Sequence, residues 1–180
     1  MALEFLGRGS YNSPFPKGSP MILGMSTATF TQFHVVLSLI GIAAGFVVVY
    51  GMMTGKRLEK WTALFLFTTA LTSLTGFAFP NDHLTPGIKI GILSMVALAI
   101  AIVALYVLHL AGPWRWIYVV TAVVALYFNF FVLIVQFFEK IPALHALVPT
   151  QKPPFPIAQL PALILFIVLG IFSVKRFRPV

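Results

Sequence analysis

The chain has 180 residues, 59% of them hydrophobic and 9% charged, with a mean hydropathy of +0.99 and a net charge of +8. A soluble domain carries roughly 25% charged residues, so this chain lacks the polar groups to cover a folded surface in water, and lipid is the expected solvent for most of its area. There is no cysteine, which excludes a disulfide framework and a thiolate site. The basic residues lie at the ends of apolar runs rather than in one patch, which argues against nucleic-acid binding.

Residues 1–28 read as an irregular tail. YNSPFPKGSP at 11–20 is dense in Pro, Gly, Ser and Asn. No basic start is followed by an apolar core of signal-peptide type. Met21 to Phe33 is more apolar, and its end is expected to extend the first helix. Residues 29–178 then form a single transmembrane helical domain. A spanning helix needs about 20 apolar residues, and five runs approach that length, at about 34–54, 61–79, 88–110, 116–138 and 157–174. Only Lys89 intrudes, at the start of the third. Backbone groups in lipid must be satisfied within each segment, so the runs predict helices. The alternation of a membrane strand is absent. The fifth run is the shortest, and Pro161 is placed in its first turn, where a missing N–H costs little. The fold class is therefore all-α, an integral membrane bundle of five transmembrane helices.

The connections carry their own signals. Lys56, Arg57 and Lys60, then Arg115, then Lys175, Arg176 and Arg178 fall on one side of such a bundle. Lys89, Lys140 and Lys152, with Arg8 and Lys17 of the tail, fall on the other. The positive-inside bias then puts the N-terminus outside and the C-terminus in the cytoplasm. Gly112-Pro113-Trp114 reads as a tight hairpin, with Trp114, Trp116 and Tyr118 at the interface. Residues 139–156 form the longest loop, and IPALHAL within it has the phase of a short surface helix.

FAFPNDHLTPG at 77–87 joins the second and third runs. Pro80 should stop a helix, Asn81-Asp82 suits a turn, and Thr85-Pro86 is an N-cap followed by proline at the first helical position. The same stretch suggests a metal site, built from Asp82 and His83 with His34 and His145 on the same side. Zinc or copper wants three or four ligands. No two of these residues have helix-face spacing, so turn chemistry is the fuller account of the loop. A buried haem with two histidine ligands is disfavoured, because His34 and His109 would lie roughly 25 Å apart in depth (1.5 Å rise per residue).

A polar band within the spans is more informative. His34 and Ser38 share one face of the first helix. Thr68, Thr72 and Thr75 share a face of the second. Asn129 and Gln136 share a face of the fourth, and Gln159 opens the fifth. Most fall in the outer half of the bilayer at overlapping depth. Lipid offers them no hydrogen bonds, so the stripes should turn inward, either as interhelical glue or as the lining of a polar pocket. Gly41 and Gly45, in GIAAG, fit close helix approach.

LTSLTGFAFP (71–80), LHLAGPWRWIYVV (108–120) and FFEKIPALHALVPTQ (137–151) resemble stretches of small, uncharacterised multi-pass proteins of the bacterial inner membrane. The resemblance covers most of residues 30–178. It implies a bacterial inner-membrane location and carries over no activity, ligand or catalytic residue. No catalytic constellation is present in the sequence. The leading expectation is a non-catalytic membrane component, an accessory subunit of a larger complex or a self-associating bundle, with the lipid bilayer and other membrane subunits as partners. The alternatives are a quinone-, lipid- or cofactor-binding electron-transfer protein using the outer polar band, and an oligomeric transporter or channel.

Overall fold

A computed structural model describes residues 21–79, 85–142, 144 and 155–178. Among these residues the chain folds into five helices: α1 Thr27–Met53, α2 Glu59–Phe77, α3 Pro86–Ile102, α4 Trp114–Lys140 and α5 Phe155–Arg176. A π-helical turn, Val103–Val107, continues α3. A two-stranded antiparallel hairpin, β1 Met21–Ile22 and β2 Met25–Ser26, precedes α1.

The fold is thus all-helical apart from that hairpin. Four helical segments are long and apolar enough to cross a membrane: Thr27–Met53, Gly87–Val107, Trp114–Lys140 and Gln159–Arg176. α2 has 19 residues, but Thr62, Thr68, Thr69, Thr72, Thr75 and Ser73 make it the most polar of the five. The outward faces agree with a lipid solvent. Val36 and Leu39 on α1, Phe67 and Leu74 on α2, Leu93 and Val96 on α3, and Leu160, Ile164, Ile167 and Ile171 on α5 are all exposed. Water-soluble monomers rarely expose apolar patches of that extent.

Several boundaries differ from expectation for local reasons. α1 begins at Thr27, so the end of the Met21–Phe33 stretch extends the first helix as expected, by seven residues. Ser26 caps it from an extended conformation (φ −62°, ψ 147°), and its side chain accepts from the Thr29 backbone N–H at 3.2 Å. Residues 21–26, expected to be irregular, instead pair as β1 and β2 around Leu23 and Gly24, both at positive φ (50° and 79°). Positive φ at both central residues is what a two-residue hairpin turn of matching twist requires. α5 begins earlier than expected, so Pro161 lies inside the helix rather than in its first turn. Tyr118, in the first turns of α4, is 2% exposed and packs within the bundle. Thr85 caps α3 as its sequence predicts, accepting from Ile88 N at 3.3 Å, with proline following. The expectations for residues 1–20, for the turn at 80–84 and for most of the 139–156 loop lie outside the described residues.

Contacts place α1 against α2, α4 and α5, with α3 between α2 and α4. The core is concentrated toward one end. Val48, Val49 and Met52 of α1, Phe65 and Leu66 of α2, Leu98 and Ala101 of α3, and Val119, Ala122 and Leu126 of α4 are buried together. The glycine pair makes this packing close. An ideal Cβ on Gly45 would stand 2.5 Å from Leu126 Cδ1 and 3.0 Å from the Phe65 ring. One on Gly41 would stand 3.0 Å from Thr69 Oγ1 and 3.3 Å from Asn129 Nδ2.

The three basic groups read as sharing one side do meet at this tight end. Gly55, in the α1–α2 turn, lies against the backbone carbonyl of Arg176. Arg115, in the first turn of α4, donates through Nη1 to the carbonyls of Val174 (3.2 Å) and Phe177 at the end of α5. Phe177 folds in beneath it, 2% exposed, with its ring 5.9 Å from that of Tyr118.

Candidate functional site

At the opposite end the helices part. Along α4, buried positions run from Tyr118 to Asn129, and none of residues 130–140 is fully buried. On α3 the first buried residue is Ser94, and on α1 only Phe30 is buried before Gly41. The gap holds a cavity of about 660 Å³ lined by the N-terminal parts of α1 and α3 and the C-terminal parts of α2 and α4. From Asn129 at its foot to Lys140 at its rim it follows α4 for roughly 16 Å (1.5 Å per residue). The walls between are apolar, with Val35, Leu39, Phe77, Ile88, Phe128, Val132 and Leu133 prominent.

The polar side chains sit at particular levels. At the foot, Ser38 Oγ donates to Asn129 Oδ1 at 2.8 Å, joining α1 to α4. Asn129 is 7% exposed, and its Nδ2 has no hydrogen-bond partner. Ser94 and Thr72 complete this level from α3 and α2. One turn above Ser38, His34 joins α1 to α2 through a 2.8 Å contact between its Nδ1 and Thr75 Oγ1. Thr75 has a single hydroxyl proton, and Oγ1 donates it to the carbonyl of Leu71 at 2.8 Å, with that of Thr72 at 3.1 Å. With that proton on the Leu71 carbonyl, Nδ1 of His34 is the donor and Nε2 keeps its lone pair; with the hydroxyl turned to Nδ1, the roles reverse. The Phe79 ring meets the imidazole edge to face at 5.4 Å and fixes its plane.

Of the residues named from the sequence, His34, Ser38, Thr72, Asn129 and Gln136 all line this one cavity. Thr75 holds His34 from behind the wall. Thr68 lies below, its Oγ1 3.2 Å from the ideal Cβ position of Gly41 and bonded to its own Leu64 carbonyl at 2.7 Å. Gln159 stands apart, donating to the Phe131 carbonyl of α4 at 3.1 Å and so tying α5 to α4. Gln136, near the rim, donates to Glu139 at 3.4 Å. Sequence reasoning missed Ser94, Thr31, Ser73 and Lys140 as lining residues. Ser94 is the single hydroxyl in α3, so no stripe marks it, and Lys140 read only as a topology charge.

For the metal expectation, Asp82, His83 and His145 lie outside the described residues. His34 already spends one ring nitrogen on Thr75, and among the described residues no three His, Asp or Glu side chains cluster.

The hydrogen bonds also separate glue from lining. Ser38→Ala leaves both polar atoms of the Asn129 amide unpaired and is expected to cost about 1–2 kcal/mol, the upper part of the interhelical range. Thr72 bonds its own helix through the Thr68 carbonyl at 2.8 Å. Such back-bonding does not stabilise a helix, so Thr72→Val should change stability by less than about 0.5 kcal/mol. Unfolding of the two variants in mixed detergent micelles checks the contrast, and equal effects would contradict the assignment.

Comparison with protein-family models, with curated proteins and with solved structures finds no match to this chain.

Proposed function

We propose that this protein is a five-span membrane protein, N-terminus outside and C-terminus in the cytoplasm, that binds a small amphiphile in a cavity open toward the outer half of the bilayer. The threading is supported by the basic residues gathered at the tight end of the bundle, the side expected to face the cytoplasm. α2 counts as the fifth span despite its threonines, because Thr68, Thr72 and Thr75 spend their hydroxyls on its own backbone.

The observation that carries the binding reading is the cavity itself. Four helices separate over roughly 16 Å and leave about 660 Å³ with apolar walls and a polar foot. Ligand sites have this composition and fall in the range of about 300–1,000 Å³. A polar band acting only as glue would close its helices together, as the same helices do around Gly45. Intramembrane polar groups gathered on a cavity also fit a ligand pathway.

Mass spectrometry of organic extracts from the purified protein tests the reading. A lipid-like molecule should co-purify in stoichiometric amount, and Val132→Trp, which fills the cavity from α4, should abolish its recovery. A chain that carries no such molecule and instead purifies in a stable complex would favour the alternative of an accessory or self-associating subunit. That alternative draws on the exposed apolar face of α5, the least enclosed of the four apolar spans.

A further inference from the structure

Just below the foot of the cavity, α1, α2 and α4 bring together polar atoms that their own hydrogen bonds leave unsatisfied. Among the buried threonines of α2, Thr68, Thr72 and Thr75 spend their hydroxyls on carbonyls of the same helix. Thr69 does not. The residue is 1% exposed, and its Oγ1 has no hydrogen-bond partner among the described residues. Asn129 Nδ2 on α4 is in the same condition, because Ser38 engages only the oxygen of that amide. Both groups border one place. The position that a Cβ would take on Gly41 of α1 stands 3.0 Å from Thr69 Oγ1, 3.2 Å from Thr68 Oγ1 and 3.3 Å from Asn129 Nδ2, and these are its nearest neighbours from the other helices. At Gly45, one turn on, Leu126 comes to 2.5 Å and the space is filled. At Gly41 the absent side chain leaves room bounded by polar atoms.

We propose that Gly41 keeps open a site for a single buried water, which bridges Thr69 and Thr68 of α2 to Asn129 of α4. Buried water characteristically makes about three hydrogen bonds to groups that lack other partners, and a water standing slightly farther from the α1 backbone than the Cβ position stays within reach of all three atoms. The hydrogen bonds balance. Thr68 spends its proton on the Leu64 carbonyl and keeps a lone pair, so the water donates to the two hydroxyl oxygens and accepts from Nδ2. The same water serves the amide in either orientation, since it donates to Oδ1 as readily as it accepts from Nδ2, with the Thr69 hydroxyl turning to match. A sodium ion fits less well, because the site offers no carboxylate and a charge at this depth is costly. The bridge matters because α2 and α4 otherwise meet at few positions, with α1 and α3 between them. The cavity, which Asn129 also lines, is the route by which the water enters. The site does not depend on what the cavity binds.

A crystal structure of the full chain, at a resolution that orders buried water, tests the site. A density peak should lie within about 3.2 Å of Thr69 Oγ1, Thr68 Oγ1 and the Asn129 amide, and it should vanish in Gly41→Ala, whose methyl group takes its place. Clear side-chain density without a peak, or Thr69 bonded directly to Asn129, would overturn the proposal. So would a peak that disappears when choline replaces sodium, which would identify a cation. Thermal unfolding in phosphatidylcholine nanodiscs gives a second readout, with opposite signs for a wet and a dry site. With the water in place, Thr69→Val removes one of its partners and should lower the midpoint by about 2–4 °C, the shift that one lost hydrogen bond brings in a chain of this size. In a dry site the same change removes an unsatisfied hydroxyl, so a midpoint that rises or stays put would refute the bridge. Thr72→Val, whose hydroxyl bonds its own helix, is the control and should leave the midpoint unchanged.

Discussion

Gly45→Val should be among the most damaging single substitutions in the bundle, lowering stability by about 3 kcal/mol, the upper end of what overpacking costs. Even the first added carbon would stand 2.5 Å from Leu126 Cδ1 and 3.0 Å from the Phe65 ring. Neither neighbour has anywhere to go. Leu126 is fully buried and Phe65 is 1% exposed, both within the core shared by α1, α2 and α4. The remedy lies across the contact. Leu126→Ala alone should cost about 2–5 kcal/mol through the void it leaves. It removes three carbons where Gly45→Val adds three, so the pair conserves volume, and the double variant should be more stable than the sum of the two by at least about 1 kcal/mol. Unfolding of all four proteins in mixed micelles gives the cycle, and strict additivity would mean that α1 and α4 do not meet at this point.

The second large effect is expected at the tight end. Arg115→Met should cost about 2–3 kcal/mol, the value of hydrogen bonds to a charged donor that leave buried acceptors behind when removed. The guanidinium serves helix α5 rather than its own. It donates to the carbonyls of Val174 and Phe177, which the helix geometry leaves without partners, and it places positive charge at the C-terminal pole of the α5 dipole. Methionine keeps much of the apolar stem but offers no donor. Amide exchange over residues 173–178 should accelerate together with the loss of stability, because Phe177 N bonds the Ser173 carbonyl at 2.8 Å in the segment that Arg115 holds. A drop in stability with exchange at that end unchanged would place the role of Arg115 elsewhere.

How much of this was legible in the sequence depends on the range of the physics involved. The helices were, because each apolar run must satisfy its own backbone in lipid. Their ends were legible where a side chain makes the cap, as at Thr85. The extension of α1 back from residue 34 was legible in the end of the Met21–Phe33 stretch, whereas its first residue was not, being set by the Ser26 cap. The inward turn of the polar residues followed from solvent alone, and five of the eight now line one cavity. The cavity itself was not legible. It arises where α3 and α4 carry no buried residue near one end, which is a property of four helices together. Gln159 was grouped with the band by depth, yet it faces a different neighbour, because depth along a helix says nothing about azimuth around it.

The widened turn at Val103–Val107 has an effect on the residues beyond it. Interior positions on this helix recur at Ser94, Ala97, Leu98, Ala101, Ala104 and Leu105, a rhythm that would bring residue 108 or 109 inward next. The chain inserts a longer step instead. Leu108 N reaches back five residues to Val103 O, and Leu110 N reaches Ala104 O. Leu110 thereby becomes the next interior residue, held at φ 60° beside His109 at φ 47°. His109 is left facing outward, exposed. A chain one residue shorter here would carry the regular rhythm through and seat that ring among aliphatic neighbours, so the irregular turn is what keeps a titratable group out of the oily interior.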